Sequence, residues 1–585
     1  MRSPERIAKL VPWLCVAVAL WLVIVPVGAL FYTAFTADAV LGDSTLTLDN
    51  FVDAYSGWHI ARLFGNSLVY AVGTAAVTLL MGGTVAWVVE RTDAPGGALF
   101  HVLALMSFAI PGLLMAMAWI FVFSPNIGWG NAALKSAFGL AEAPVNIYSM
   151  GGMIWALSSH YFPLVYLALG PALRALDTRM EEAGQVSGGG AWQILARITF
   201  PLLRPALWST VLLVFIMGIS SYEVPRLIGR PARLDVFTTK IQEATQGSPP
   251  EFGTASALAL ALLAICLVAV WVYRRGVRET SSFATVTGKG YVPNVMALGR
   301  WRWPVALAVG AMFVLALGLP LATLAWQSCF ANLAPPLLAS TAGATLANYQ
   351  YILTYPIFLG AVRTSVLVAA MAATAIVGLT LVMAWIALRS ASRLAWAIDA
   401  LAFVPIAIPG VIVGASILLT YLVLPVGIYN TIWILLVAYV TLYLPYGMRF
   451  ASSGLTQIHR ELEEAAAAAG AGLLQIFRRI LLPLLAPVLL SAWIYVFVLS
   501  VRELGASVFL VGPGTHVLGT ISLTMWEEGG SYGAVSALGI LQIVPLLCIV
   551  AALRWLETRV HRRVAPARAA DNVAAPPAPV RAQAA

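Results

Sequence analysis

The residues that could do chemistry fall into three sets: scattered histidines and cysteines, two clusters of arginine with glutamate, and one loop that occurs twice. The six histidines are His59, His101, His160, His459, His516 and His561. No two of them have the spacing that holds a metal. Cys15, Cys266, Cys329 and Cys548 lie in or at the ends of apolar runs, where burial alone accounts for a thiol. His160, inside an apolar run, reads as a satisfied buried group rather than a ligand. Gly288-Lys289-Gly290 is the nearest string to a phosphate-binding loop, but it lacks the preceding glycine and the following Ser or Thr. No acid, base and nucleophile converge. The expectation is a chain with no catalytic residues, no metal and no cofactor of its own.

The charged clusters are Tyr222-Glu223 with Arg226, and Arg502-Glu503. Both sit at the ends of apolar runs. Charges at membrane depth are costly, so they face a cavity or each other. One reading has Glu223 and Glu503 meeting across an interface, with Arg226 and Arg502, as a gate or a guide for a charged solute. The other has the side chains reaching the membrane surface in local ion pairs. Arg226, Arg230 and Arg233 form a basic stretch that would suit an acidic partner or an anionic cargo, or a solvated loop.

The repeated loop is the most specific signal. Its first copy has Glu182-Ala183-Gly184, then Gly188, Ile198, Phe200 and Pro201. Its second has Glu464-Ala465-Ala466, then Gly470, Ile480, Leu482 and Pro483, at identical spacing. Helix formers over Leu173–Glu182 and Glu461–Ala469 predict a short helix. The glycines allow a sharp turn. A second short helix is predicted to stop near Pro201 or Pro483, where the next apolar run begins. The product is a helix–turn–helix knob, able to fill a groove on a partner. The run Gly188-Gly189-Gly190 predicts a more flexible first knob.

These loops need elements to hold them. The chain has 585 residues, 61% hydrophobic and 10% charged. A water-exposed surface needs roughly 25% charged residues, so most of this surface must face lipid. Apolar runs long enough to cross a bilayer predict spans at 11–34, 66–89, 98–123, 149–172, 205–226, 253–273, 303–327, 362–387, 397–422, 431–448, 486–509 and 534–554. The basic start, Met1 to Lys9, precedes a run too long for a signal peptide, which reads as an uncleaved first helix. The net charge of +9 does not point to nucleic acid, because the Lys and Arg concentrate in alternate loops. That pattern predicts both termini in the cytoplasm.

The runs repeat in two sets of six. Ile110-Pro111-Gly112 in the third span matches Ile408-Pro409-Gly410 in the ninth. Phe252-Gly253-Thr254 opens the sixth span and Tyr532-Gly533-Ala534 the twelfth. Six is even, so the halves enter the membrane alike, as parallel repeats. The expected fold is an all-α integral membrane protein of about 12 transmembrane helices. Residues 1–290 form a first unit with its loop near 173–204, and 291–564 a second with its loop near 449–485. The Ala- and Pro-rich segment 565–585 reads as a disordered cytoplasmic tail.

The paired loops follow the pattern Glu-Ala-Ala, three residues, Gly, nine residues, Ile-x-Leu-Pro. This resembles the coupling loop of type I ATP-binding-cassette importer permeases, and the whole chain resembles the fused two-unit permeases of ferric-iron importers. The first copy departs from the pattern at Gly184 and Phe200. The resemblance implies a bacterial inner-membrane subunit that serves two separate cytoplasmic ATPase subunits. ATP and Mg would be bound on those subunits. A periplasmic or extracellular substrate-binding protein would deliver cargo. Ferric iron leads as cargo; thiamine, 2-aminoethylphosphonate and polyamines are served by related permeases. A secondary transporter driven by an ion gradient is the rival of another class. It predicts acids in mid-span and no paired knobs.

Overall fold

A computed structural model describes the protein except residues 1, 2, 41, 58, 108, 177, 178, 281–294, 334–342, 391, 392, 425, 530 and 572–585. The string Gly288-Lys289-Gly290 and the end of the tail lie outside the described residues. Among the described residues, ten helices are long and apolar enough to cross a membrane. They are Val11–Ala34, His59–Arg91, Met150–Arg174, Trp192–Ser220, Phe252–Val272, Gly299–Gln327, Pro356–Arg389, Ile432–Thr456, Leu473–Val501 and Tyr532–Ile549. Two bent pairs bring the total to 12 if each is one span.

The bent pairs correct two expected spans. In place of a straight helix over 98–123 the chain forms Gly97–Ser107 and Gly112–Phe123, bent by 104°. In place of 397–422 it forms Leu394–Ala407 and Gly410–Val423, bent by 109°. Pro111 and Pro409 are the cause. Proline has no N–H for the preceding turn and its ring collides with that turn's carbonyl, so the first helix must end. Both prolines take extended backbone and open the next helix. The second arm of the ninth span makes a close backbone contact. A Cβ on Gly414 would lie 2.7 Å from the Ala506 backbone, so only glycine lets these segments approach.

The helices of each half pack in the same order, and one span of each half leans on the other. Val11–Ala34 packs on the second half, where the Trp21 indole donates to the Tyr421 hydroxyl at 2.9 Å and Thr441 donates to the Leu22 carbonyl at 3.2 Å. Gly299–Gln327 packs on the first half, where Phe313 stacks on Phe100 at 5.7 Å and meets Phe162 at 5.1 Å. One buried apolar core therefore runs through both units. The lipid-facing sides carry exposed large apolar residues such as Leu80, Val268 and Leu307, as a helix in hydrocarbon requires.

Two further differences concern helix ends. The last helix runs on to Asp571, past Ala565. Beyond each knob, the expected stop at Pro201 or Pro483 does not occur. The second knob helix passes through a π turn, Leu195–Thr199 or Phe477–Leu481, straight into the next span. In each turn a wide backbone bond forms, Phe200 N–H to Leu195 O and Leu482 N–H to Phe477 O. The widening comes one residue before proline, where the ladder loses a donor.

Candidate functional site

The two knobs are built from the same bonds. The first helix is Arg179–Val186 in one and Glu461–Ala468 in the other. Gly188 follows at φ 82° and Gly470 at φ 86°, the left-handed region that glycine enters without strain. Two hydrogen bonds close each turn. Gly189 N–H donates to Gly184 O at 2.9 Å and Gly188 N–H to Gln185 O at 2.9 Å. In the second copy Ala471 N–H donates to Ala466 O at 3.0 Å and Gly470 N–H to Ala467 O at 2.9 Å. This pairing satisfies the last carbonyls of a helix that ends on glycine. The next helix is then capped by a glutamine. Gln193 Oε1 accepts from Gly190 N–H at 3.3 Å, and Gln475 Oε1 from Gly472 N–H at 3.1 Å. The first knob, expected to be looser, makes every one of these bonds.

Each knob has an outer and an inner face. Glu182, Ala183, Glu464 and Ala465 are exposed, while Gly184 and Ala466 turn inward. A Cβ on Gly184 would lie 2.8 Å from the tip of Ile198, so the departure from alanine lets the first knob close more tightly on that side chain. Ile198 and Ile480 are half-buried beneath the knobs. Pro201 is half-buried at the start of its span, whereas Leu482 and Pro483 are exposed. Trp192 is 74% exposed and Leu474, at the same register, 81%. Each knob thus holds one large apolar side chain on its outer face. Glu464 also pairs with Arg460 at 2.9 Å, an exposed contact that contributes little.

The residue before each exposed glutamate points the other way. Glu181 pairs with Arg91 and accepts from the Thr199 hydroxyl at 2.7 Å. Glu463 accepts from Arg389 Nε at 3.0 Å and from the Trp385 indole at 2.8 Å. Reading the sequence missed these partners, although a signal exists: Ala86-Trp87 with Arg91 recurs as Ala384-Trp385 with Arg389. Beside the first knob a cavity of about 560 Å³ is lined by Arg91, Glu181, Glu182, Trp192 and Met296.

The charged clusters lie at the end of the bundle opposite the knobs, and Arg226 takes a partner outside the expected set. Arg226 pairs with Glu527 of the second half, and its Nη1 donates to Gln242 at 3.2 Å. Gln246 also crosses the halves, donating to Val508 O at 2.8 Å. Glu503 is buried and caps the short helix after it, accepting from Ala506 N–H at 2.8 Å, Ser507 N–H at 3.0 Å and the Ser507 hydroxyl at 2.5 Å. Those donors engage both carboxylate oxygens within its own loop. Arg502 Nη1 donates to Ile110 O of the first half at 3.4 Å. Glu223 is half-buried. Tyr222 is buried, and its hydroxyl has no partner among the described residues. The same holds for Nδ1 of His160, which was expected to be satisfied.

Comparison with known proteins accords with this architecture. The chain is 26% identical over 553 residues to a ferric transport system permease protein FbpB of Actinobacillus pleuropneumoniae, covering 92% of this chain and 77% of the relative. It is 29% identical over 165 residues to a putative 2-aminoethylphosphonate transport system permease protein PhnU of Salmonella typhi, covering 28% of this chain and 57% of the relative. A solved bacterial ABC transporter involved in the import of the acidic polysaccharide alginate aligns with TM-score 0.35 and 17% identity, over 42% of this chain and 87% of that one. The profile described as "Binding-protein-dependent transport system inner membrane component" matches twice, over residues 84–281 and 376–564. The repeated six-span plan and more than half of the residues thus fall within one family, and the chain belongs to it: the inner-membrane components of binding-protein-dependent transport systems.

Proposed function

We propose that this permease serves an ATP-driven importer of ferric iron. One observation carries the reading: two knobs with matching turn and cap hydrogen bonds present Glu182 with Trp192, and Glu464 with Leu474, at one end of the bundle. Two equivalent docking surfaces call for two ATPase subunits on that side, which is then the cytoplasmic one and holds both termini. Those subunits bind ATP and Mg; this chain supplies no hydrolytic residues. A binding protein docks at the opposite end, where Arg226 and Glu527 join the halves. Closure of the ATPase pair moves the knobs, the two units rock, and the pathway between them opens by turns to either side. Each shift requires partners that bind one state better than the other. Ferric iron is favoured as cargo by the names of the relatives matched over most of the chain.

The test is uptake into proteoliposomes holding this chain with its co-expressed ATPase subunits and a loaded binding protein. Ferric ion, thiamine, 2-aminoethylphosphonate and a polyamine are compared. ATP-dependent uptake of ferric ion supports the reading. Uptake of another cargo overturns the choice of iron. Uptake driven by an ion gradient without ATPase subunits overturns the importer itself.

A further inference from the structure

Each knob is fastened to its own bundle at a buried point. Arg91 ends the second span and is 5% exposed, and its guanidinium pairs with Glu181. Arg389 ends the eighth span and holds Glu463; its Nη2 also donates to Leu455 O at 3.2 Å and Ile458 O at 2.7 Å, at the end of the tenth span. The glutamate one residue later, Glu182 or Glu464, lies on the exposed face of its knob. Breaking either ion pair would leave a charge in a poorly solvated place, so a knob does not swing independently of its span.

The same two spans are fastened again near their other ends. Ser67 Oγ accepts from Phe237 N–H at 3.0 Å, and Ser365 Oγ from Leu518 N–H at 2.8 Å. These amides begin two short helices, Phe237–Gln246 and Leu518–Glu527. The first carries Gln242, which Arg226 bonds; the second ends on Glu527, which Arg226 pairs with. Both routes therefore run from a knob along one continuous helix to the same cross-half pair. At 1.5 Å per residue these helices of 33 and 34 residues are about 50 Å long.

We infer that Arg91 and Arg389 with Ser67 and Ser365 are positioning residues, which make spans two and eight rigid struts between the ATPase-docking knobs and the Arg226–Glu527 pair. The inference rests on the proposed function, since a strut needs a driven end. The two halves match in these fastenings. Both struts have an arginine–glutamate clamp at one end and a serine–amide clamp at the other, although the neutral donors to the glutamates differ, Thr199 in one and Trp385 in the other.

The experiment uses the full complex in proteoliposomes, with Cys15, Cys266, Cys329 and Cys548 replaced and with Gln246→Cys and Val508→Cys introduced, at a cross-half contact that leaves Arg226 and Glu527 in place. Disulfide yield between the two new cysteines is read with and without ATP. The inference expects ATP to change the yield in the otherwise unaltered chain. It expects Arg91→Gln/Arg389→Gln, and separately Ser67→Ala/Ser365→Ala, to shrink that change by about two- to thirtyfold while ATPase subunits still co-purify. Arg389→Lys should recover part of the response, because it keeps the charge on Glu463 and loses the carbonyl contacts. The serine variants keep the test sound if the arginine variants misassemble, for they lie far from the knobs. An undiminished ATP response in the serine variants overturns the inference. Failure of any ATPase subunit to co-purify with the unaltered chain overturns the importer reading, and the struts with it.

Discussion

Arg226 of the first half pairs with Glu527 of the second, 301 residues along the chain, and so ties the two units at the end away from the knobs. Arg226 is largely buried there and also holds Gln242. The contact bridges units that must separate if the pathway is to open on that side.

Removing either charge should therefore loosen the joint. Arg226→Gln and Glu527→Gln are each expected to raise ATPase turnover without loaded binding protein and to lower the cargo moved per ATP. The swap Arg226→Glu/Glu527→Arg should restore part of the coupling. A double-mutant cycle on thermal stability should give a coupling of ~1–3 kcal/mol. Additive effects of the two single variants would show that the pair does not act as a unit.

The knob turns make a sharper prediction, because glycines of similar exposure differ in backbone. Gly470 sits at positive φ with open space around it, whereas Gly472 has ordinary φ and equal space. Gly470→Ala should cost about 1–2 kcal/mol locally through backbone strain alone. Gly472→Ala should be nearly neutral. Stimulated ATPase activity should fall for the first and hold for the second. Equal effects would mean that the left-handed turn is not what sets the knob.

Gly184 tests whether the first knob tolerates the residue found in the second. A Cβ there meets the flexible tip of Ile198 at 2.8 Å and the Ile194 side chain at 3.3 Å, both side-chain atoms that can give, and a helix gains roughly 0.5–1 kcal/mol when glycine becomes alanine. Gly184→Ala should keep transport and leave the melting temperature unchanged or slightly higher. Gly184→Leu should displace the knob and abolish stimulated hydrolysis.

The second arm of the ninth span makes a close backbone contact with little room to relax. Gly414→Ala places a methyl 2.7 Å from Ala506 Cα and O, and overpacking of this kind costs typically 1–3 kcal/mol. Thermal unfolding in detergent should show the loss. Gly378→Ala, in the eighth span with nothing within 4 Å, serves as the control and should show none.

Trp192 and Leu474 should be contact residues for the ATPase subunits. Trp192→Ser and Leu474→Ser remove exposed apolar surface and disturb no core, so the chain should insert and fold as before. Co-purification of ATPase subunits should drop, most in the double variant. Retention at the unaltered level would assign docking to the glutamate face alone.

Much of this could be read from the chain without its fold. Span length follows from hydropathy because every backbone polar group in lipid must be bonded within its own helix. The repeat of six spans and the register of the knobs are matters of spacing, and spacing is local. Gly188 and Gly470 announce their turns because few other residues take that backbone. What the fold alone decided depends on distance in space. A proline in an apolar run signals a break, but the 109° angle, and the Ala506 backbone packed on Gly414 of the second arm, appear only in the fold. Arg226 has Glu223 close by in sequence, yet its partner is Glu527, and Glu503 turns to cap its own loop. Arg91 and Arg389 look like ordinary basic residues at the ends of spans, where any lysine or arginine satisfies the membrane. Only folding brings Glu181 and Glu463 beside them. A charge declares the kind of partner it needs, and the tertiary structure supplies the one within reach.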